Sequence, residues 1–188
     1  MTTIIRTLRD TVPLRPLTVA EAMRVAELQA NRFIELLDLP APPVLEKAIT
    51  SLPRIEVKRM TPSFAAGASQ WTRGRWLIVL AGSEPRTRQR FSLAHEFKHI
   101  LDSPFVTVIY PAGKQWRSQE QVEQVCEYFA ACLLMPRKWV KRAYCDEGVQ
   151  DLMRLARRFE VSPMAMEVRL LHLGLITPRP RCALGVAS

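Results

Sequence analysis

Apolar residues recur at helical spacing through Ala22, Ala26, Ala30, Phe33 and Leu37, behind Thr18 and Glu21 in the spacing of a capping box. This pattern predicts a helix of about twenty residues. Leu39-Pro40-Ala41-Pro42-Pro43 ends it, because prolines remove backbone donors and turn the preceding residue away from helix. A shorter helix follows over 44–52. The period then shortens to two: Ile55 and Val57 alternate with Glu56 and Lys58, Ser63 to Trp71 is small and mixed, and Arg75 to Ala81 is strongly apolar. These are three strand candidates, and Thr72-Arg73-Gly74 has the composition of a hairpin turn between the last two. Small apolar residues around Ala65, Ala66, Gly67 and Ala68 would let another backbone approach that strand if it lies at a sheet edge.

Helical spacing returns from Arg86 to Asp102, where Ser103-Pro104 stops it, and again from Ser118 to Met135, where Pro136 does. Two shorter helices close the chain. Val149, Leu152, Leu155, Ala156 and Phe159 form one apolar face; Ser162-Pro163 then caps and opens a helix running to Leu173, with Gly174 as its stop. The sequence therefore predicts an α+β fold with a small antiparallel or mixed sheet. Its expected organisation is a loose arm at 1–17, a main domain at 18–145, a helix-turn-helix-like tail at 146–177 and a flexible end at 178–188.

Composition changes the picture only modestly. With 48% hydrophobic residues in a chain of 188, a sizeable core can be buried and wholesale disorder is excluded. The run Trp76 to Ala81 is strand length and far too short to span a bilayer. The first residues carry charge and no apolar signal core. Cys126, Cys132, Cys145 and Cys182 form no C-x-x-C pair, so the expectation is reduced thiols in the cytoplasm. A net charge of +9 would suit DNA or an acidic protein partner and does not choose between them.

The chemistry lies in His95-Glu96-Phe97-Lys98-His99, which holds two of the three histidines of the chain. Residues four apart share a helix face, so both imidazoles can point at one metal ion. Zinc in such a site acidifies a water molecule, and Glu96, beside the first ligand, can take its proton as catalytic base. The surrounding Phe91, Leu93, Ala94, Phe97, Ile100 and Leu101 are apolar, and burying two histidines and a glutamate among them without partners would be costly. A third protein ligand is expected. A three-histidine pattern would need glycine and histidine where the chain has Asp102 and Phe105, so the ligand is sought on the next helix, among Glu120, Glu123 and Glu127. Glu123 and Glu127 share a face; one can bind metal while the other braces a histidine, a bracing role for which Asp102 is also a candidate.

The run Arg90-Phe91-Ser92-Leu93-Ala94-His95-Glu96-Phe97-Lys98-His99-Ile100-Leu101 resembles the signature of the ImmA/IrrE metallopeptidases. So do Glu123-Gln124-Val125-Cys126-Glu127-Tyr128-Phe129-Ala130-Ala131-Cys132-Leu133-Leu134-Met135-Pro136 and the tail around Leu155 to Ser162 and Arg169 to Ile176. The resemblance covers about 55–176. It implies a zincin-like, gluzincin-like endopeptidase with His95, His99 and Glu123 as zinc ligands, Glu96 as base, and Glu127 one turn beyond the third ligand. It also implies a substrate, a helix-turn-helix transcriptional repressor whose cleavage derepresses its genes. The chain departs from the family pattern at Lys98, where glycine is usual, at Cys126, where alanine is usual, and at Glu127, where Asn or Asp is usual. Lys98 is expected to lie exposed on the far side of the helix.

A different class of function remains open at this level. Residues 149–174 have helix-turn-helix length, and Arg154, Arg157, Arg158 and Arg169 could contact phosphates in a DNA-binding or antitoxin-like adaptor with a structural or activator-dependent metal site. The second helix, with Met164, Met166 and Glu167, is poor in base-reading side chains, so DNA contact is the less favoured expectation.

Overall fold

A computed structural model describes residues 3–61, 66–111 and 119–177. In chain order the elements are α1 (Thr3–Arg9), α2 (Val19–Leu36), α3 (Lys47–Thr50), β1 (Ile55–Met60), β2 (Gly67–Thr72), β3 (Arg75–Ala81), α4 (Arg86–Asp102), α5 (Val106–Ile109), α6 (Gln119–Leu134), α7 (Arg137–Lys141), α8 (Leu152–Phe159) and α9 (Pro163–His172). The fold is α+β. No described helix is long and apolar enough to cross a membrane.

Several elements follow their local signals closely. Thr18 caps α2 in a complete capping box, its side chain accepting from the Glu21 amide while Glu21 accepts from the Thr18 amide. Ser162 caps α9, with Pro163 in its first turn. Arg73 and Gly74 both adopt positive φ, 48° and 78°, in the two-residue turn that joins β2 to β3. That conformation matches the twist of an antiparallel hairpin and suits glycine at its second position.

The sheet is mixed, with order β1-β3-β2. β1 runs parallel to β3 from Ile55 opposite Trp76 to Met60 opposite Ala81; β2 runs antiparallel to β3 from Gly67 opposite Leu80 to Thr72 opposite Arg75. β3 is the central and most buried strand, with Ile78 and Leu80 inaccessible to solvent. β2 is an edge strand and lies against α4. Of the segment expected at this edge, residues 63–65 lie outside the described residues.

Two expectations about the ends of the chain need correction. Residues 1–17 are not a loose arm: Thr3–Arg9 is helical, and Ile5, Leu8, Val12 and Leu17 are buried in the common core. The Arg9 guanidinium donates to the Ile100 carbonyl at 2.6 Å and the Leu101 carbonyl at 3.2 Å, satisfying acceptors that the last turn of α4 leaves open. Nor does the tail carry a core of its own. Leu155, Ala156, Phe159, Met166 and Leu170 join the same buried cluster as Phe97 and Phe129. Residues 178–188, expected to be a flexible end, lie outside the described residues.

Arg169 shows how firmly the tail is held. It is 1% exposed, donates from Nε to the Met135 carbonyl at 3.0 Å, and lies 5.8 Å from the Tyr128 ring centre. The end of α6 and the middle of α9 are thereby fastened together. The motif arginine Arg90 does the same at the other end of α4, pairing with Glu160 beyond α8 and donating to the Val44 carbonyl at 2.7 Å.

Candidate metal centre

α4 is buried on nearly all sides, and its one solvent-facing stripe near the middle carries His95 and His99. α6 packs across α4 and brings Glu123, in its second turn, opposite the two imidazoles. His95 Nε2 and Glu123 Oε2 are 3.0 Å apart, His95 Nε2 and His99 Nε2 3.1 Å, and His99 Nε2 and Glu123 Oε2 3.4 Å. Bonds of about 2.0–2.2 Å at tetrahedral angles place ligand atoms about 3.3–3.6 Å apart, so a triangle with sides of 3.0–3.4 Å needs to open by only a few tenths of an ångström to hold one face of a tetrahedral zinc site. All three side chains keep some exposure, which leaves the remaining side of the triangle open to the cleft.

Electrostatics agree with the donor set. Burial alone would push the Glu123 carboxyl up, but a hydrogen bond from Gln119 at 3.1 Å and the nearby imidazoles outweigh it and hold the carboxyl below its usual range. Glu123 is thus ionised where a cation would sit.

Cys126 is the neighbour that sequence reasoning did not anticipate. Its Sγ lies 3.7 Å from His99 Nδ1, and with His95 and His99 it forms a cluster of potential donors. It is poorly placed as a third ligand to an ion on both Nε2 atoms, because it meets the opposite nitrogen of the His99 ring. Burial also pushes its thiol well above the ordinary range, which keeps it protonated. A metal held on His99 Nε2 would require the ring proton on Nδ1, where it faces Cys126 Sγ. A cysteine at the turn after Glu123 was the only available signal.

Glu96 lines the same cleft as His95 and Glu123. It is buried, and its Oε2 accepts from Ser69 Oγ on β2 at 2.8 Å. A Cβ on Gly67 would come within 3.2 Å of Glu96 Cγ and Oε1, so the strand rests directly on the carboxylate. The candidate base is therefore held by an element 27 residues upstream of it.

The other predicted residues are placed differently. Glu127 is exposed and lines the same cleft as His95, Glu96 and Glu123, without a hydrogen bond or ion pair among the described residues. Asp102, expected to brace an imidazole, instead accepts from Lys98 Nζ at 2.7 Å and from Tyr110 Oη at 2.6 Å. Lys98 is not exposed on the far side of α4, as its type suggested. It is 1% exposed, and its ammonium also donates to Gln29 Oε1 at 2.7 Å. The reason is that α1 packs on α4, and α2 reaches it through Gln29 and Phe33; Gln29 and Asp102 supply the partners the buried ammonium requires, and Tyr110 completes Asp102.

Comparison with known proteins agrees with this architecture. Residues 53–171 match the family model described as the IrrE N-terminal-like domain, a peptidase family. The chain is 34% identical over 91 residues to the radiation response metalloprotease IrrE of Deinococcus deserti, an alignment covering 45% of this chain and 32% of that one. It is 30% identical over 120 residues to the IrrE of Deinococcus radiodurans, covering 61% of this chain and 36% of that one. The chain thus spans about a third of the length of these curated relatives. A solved structure of a Mycobacterium tuberculosis transcriptional regulator shares the fold, with TM-score 0.57 and 19% identity over 93% of this chain and 53% of the other. With more than half of its length matched by the family model and both histidine-bearing and glutamate-bearing helices inside the match, the chain belongs to the ImmA/IrrE family through its IrrE N-terminal-like domain.

Proposed function

We propose that this chain is a zinc-dependent endopeptidase of the HExxH, gluzincin-like type that cuts a helix-turn-helix transcriptional repressor in the cytoplasm and so releases the genes it silences. The observation that carries the enzymatic part is the convergence of His95 Nε2, His99 Nε2 and Glu123 Oε2 within 3.0–3.4 Å of one another, beside the Glu96 carboxylate. When bound by those three residues, zinc supplies the Lewis acidity that acidifies water and polarises a peptide carbonyl. Glu96 is the proton acceptor, and Ser69 orients it by donating a hydrogen bond to Oε2. The outer edge of β2, which pairs with no further strand among the described residues, is the natural place for an extended substrate segment, whose main chain would add to the sheet alongside the site. Glu127, at the cleft wall, is proposed to tune the site without binding metal.

The substrate assignment rests on the family resemblance, because the net charge of +9 suits an acidic protein and DNA alike. The adaptor reading draws less support. Arg169 is buried and committed to Met135, and Arg158 is paired with Glu147, which leaves Arg154 and Arg157 as the exposed guanidinium groups of the proposed DNA-binding face. The test is to incubate the zinc-loaded protein with a helix-turn-helix repressor encoded beside it. A single cut, abolished by chelator and restored by zinc, is the expected result. An intact repressor with a fully metal-loaded protein would overturn the substrate assignment.

A further inference from the structure

We propose that the apolar cavity walled by α4, α6 and α9 is a side-chain pocket of the substrate cleft, and that it selects a bulky apolar residue (Leu, Met or Phe) in the substrate. The proposal deepens the peptidase reading and rests on it. The cavity holds about 480 Å³ and is lined by Phe91 from α4, Tyr128 and Ala131 from α6, and Met164, Ala165 and Val168 from α9. That volume lies in the range of binding pockets, roughly 300–1,000 Å³, and is far larger than the voids a packed core tolerates.

Its position says what it would take. Arg88, Phe91 and Glu127 line both this cavity and the cleft that contains His95, Glu96 and Glu123, so the two adjoin. The cavity is thus placed to receive a side chain that branches from a substrate main chain held at the metal centre. The charged residues Arg88 and Glu127 are exposed and are shared with the cleft, the polar groups Thr87, Gln124, Ser162 and His172 also reach the cavity, and α9 contributes Met164, Ala165 and Val168 as its apolar wall. Against the apolar wall of Phe91, Ala131, Met164, Ala165 and Val168 an aliphatic or aromatic side chain buries more surface than a charged one, which would lose hydration there.

α9 is also built to present this wall rigidly. Met166 and Leu170 are buried on one face, and Arg169 is anchored to the Met135 carbonyl. On the other face Met164 is 75% exposed and Val168 44% exposed. Large apolar side chains left open on a firmly anchored helix, beside a cavity that adjoins the catalytic cleft, give the helical tail a role in reading protein substrate.

The test uses the zinc-loaded Glu96→Gln protein, so that nothing is consumed, and methyl NMR with N-acetyl amides of Phe, Leu, Ala and Asp as probes. The Phe and Leu amides are expected to shift the methyl signals of Ala131, Ala165 and Val168 saturably, and the Ala and Asp amides are not. Ala165→Trp, and independently Val168→Trp on the exposed rim, should remove those shifts while metal content and thermal midpoint stay as in the parent. In otherwise wild-type protein either substitution should raise KM for the repressor by about tenfold or more, the scale on which an apolar pocket discriminates by size. Absent shifts, or equal shifts from the Asp amide, overturn the pocket assignment. Shifts accompanied by unchanged KM in both variants overturn its role in substrate selection and leave a small-molecule site. Failure of the wild-type protein to cut any repressor counts against the peptidase reading alone, because the NMR arm does not depend on cleavage.

Discussion

Ser69 Oγ donates a 2.8 Å hydrogen bond to Glu96 Oε2, tying the edge strand of the sheet to the candidate catalytic base. Two residues earlier on the strand, the space over Glu96 is closed to any side chain: a Cβ at Gly67 would stand 3.2 Å from Cγ and Oε1. Glycine is used here for close approach, as its backbone angles need no special freedom. Gly67→Ala is therefore expected to push the carboxylate or the strand by a few tenths of an ångström and lower kcat by about tenfold to a hundredfold, the scale of small misplacements in an active site. Initial rates beside metal content check this. Wild-type kcat in Gly67→Ala would show that the strand does not set the position of the base.

Glu96→Gln removes the proton acceptor while leaving both imidazoles and Glu123 in place. Cleavage should fall by at least about 10²-fold with zinc content unchanged. The amide can still accept from Ser69, so the fold and thermal midpoint should hold. A variant that cuts at the parental rate sinks the assignment of Glu96 as base.

Loss of His95, His99 or Glu123 should cost metal outright and lower the thermal midpoint of the zinc-loaded protein, since binding to the folded state adds to its stability. Glu127→Ala is expected to load with zinc when supply is generous and to lose at most about 10–100-fold in affinity or activity, the usual cost of an outer partner. Titration against a competing chelator separates the cases. If Glu127→Ala binds zinc much more weakly than Glu123→Ala, the two glutamates exchange roles.

Lys98 and Asp102 form a buried ion pair one helical turn apart, completed by Gln29 and Tyr110. Lys98→Met leaves Asp102 buried with one donor and Gln29 Oε1 without its ammonium, which should cost about 3–5 kcal/mol. Adding Asp102→Asn to Lys98→Met should recover part of the loss by removing the stranded charge. Urea unfolding of the two variants measures both. A single variant within about 0.5 kcal/mol of wild type would mean that the network contributes little net stability.

Glu21 carries a pH prediction outside the active site. Hydrogen bonds from Arg15, then from the Thr18 amide and hydroxyl, lower its carboxyl to about 2 from an ordinary 4.5. A group depressed in the folded state contributes stability that is fully present above its unfolded pKa and is lost as pH falls through its folded one. The stability gap between wild type and Glu21→Gln should accordingly be constant above pH 4.5 and close as pH falls to about 2. Acid titration followed by circular dichroism reads this window, and a gap that widens toward low pH would contradict the capping role.

Much of the architecture was legible because its signals are local. The capping box, the proline stops, the positive-φ turn at Arg73-Gly74 and the four-residue spacing of His95 and His99 each reside within one element or one turn, where backbone sterics and helical geometry decide. The short helix Thr3–Arg9 was not legible, since a helix of that length has little stability alone and exists here through burial of Ile5 and Leu8 and the bonds from Arg9 to α4.

At the site the same division holds. The sequence by itself determined two imidazoles on one face, a carboxylate beside them and a choice of glutamates on the following helix. Only tertiary packing decided which of those glutamates stands within 3.0 Å of His95, that Ser69 holds Glu96, that Cys126 meets the outer nitrogen of His99, and that Lys98 turns inward. A lysine on a helix is solvated unless another part of the chain covers it, and here Gln29 covers it from 69 positions away. Spacing along one helix fixes directions, but the identity of the group met in each direction depends on how distant helices and strands pack, and that is set by the burial of the whole core.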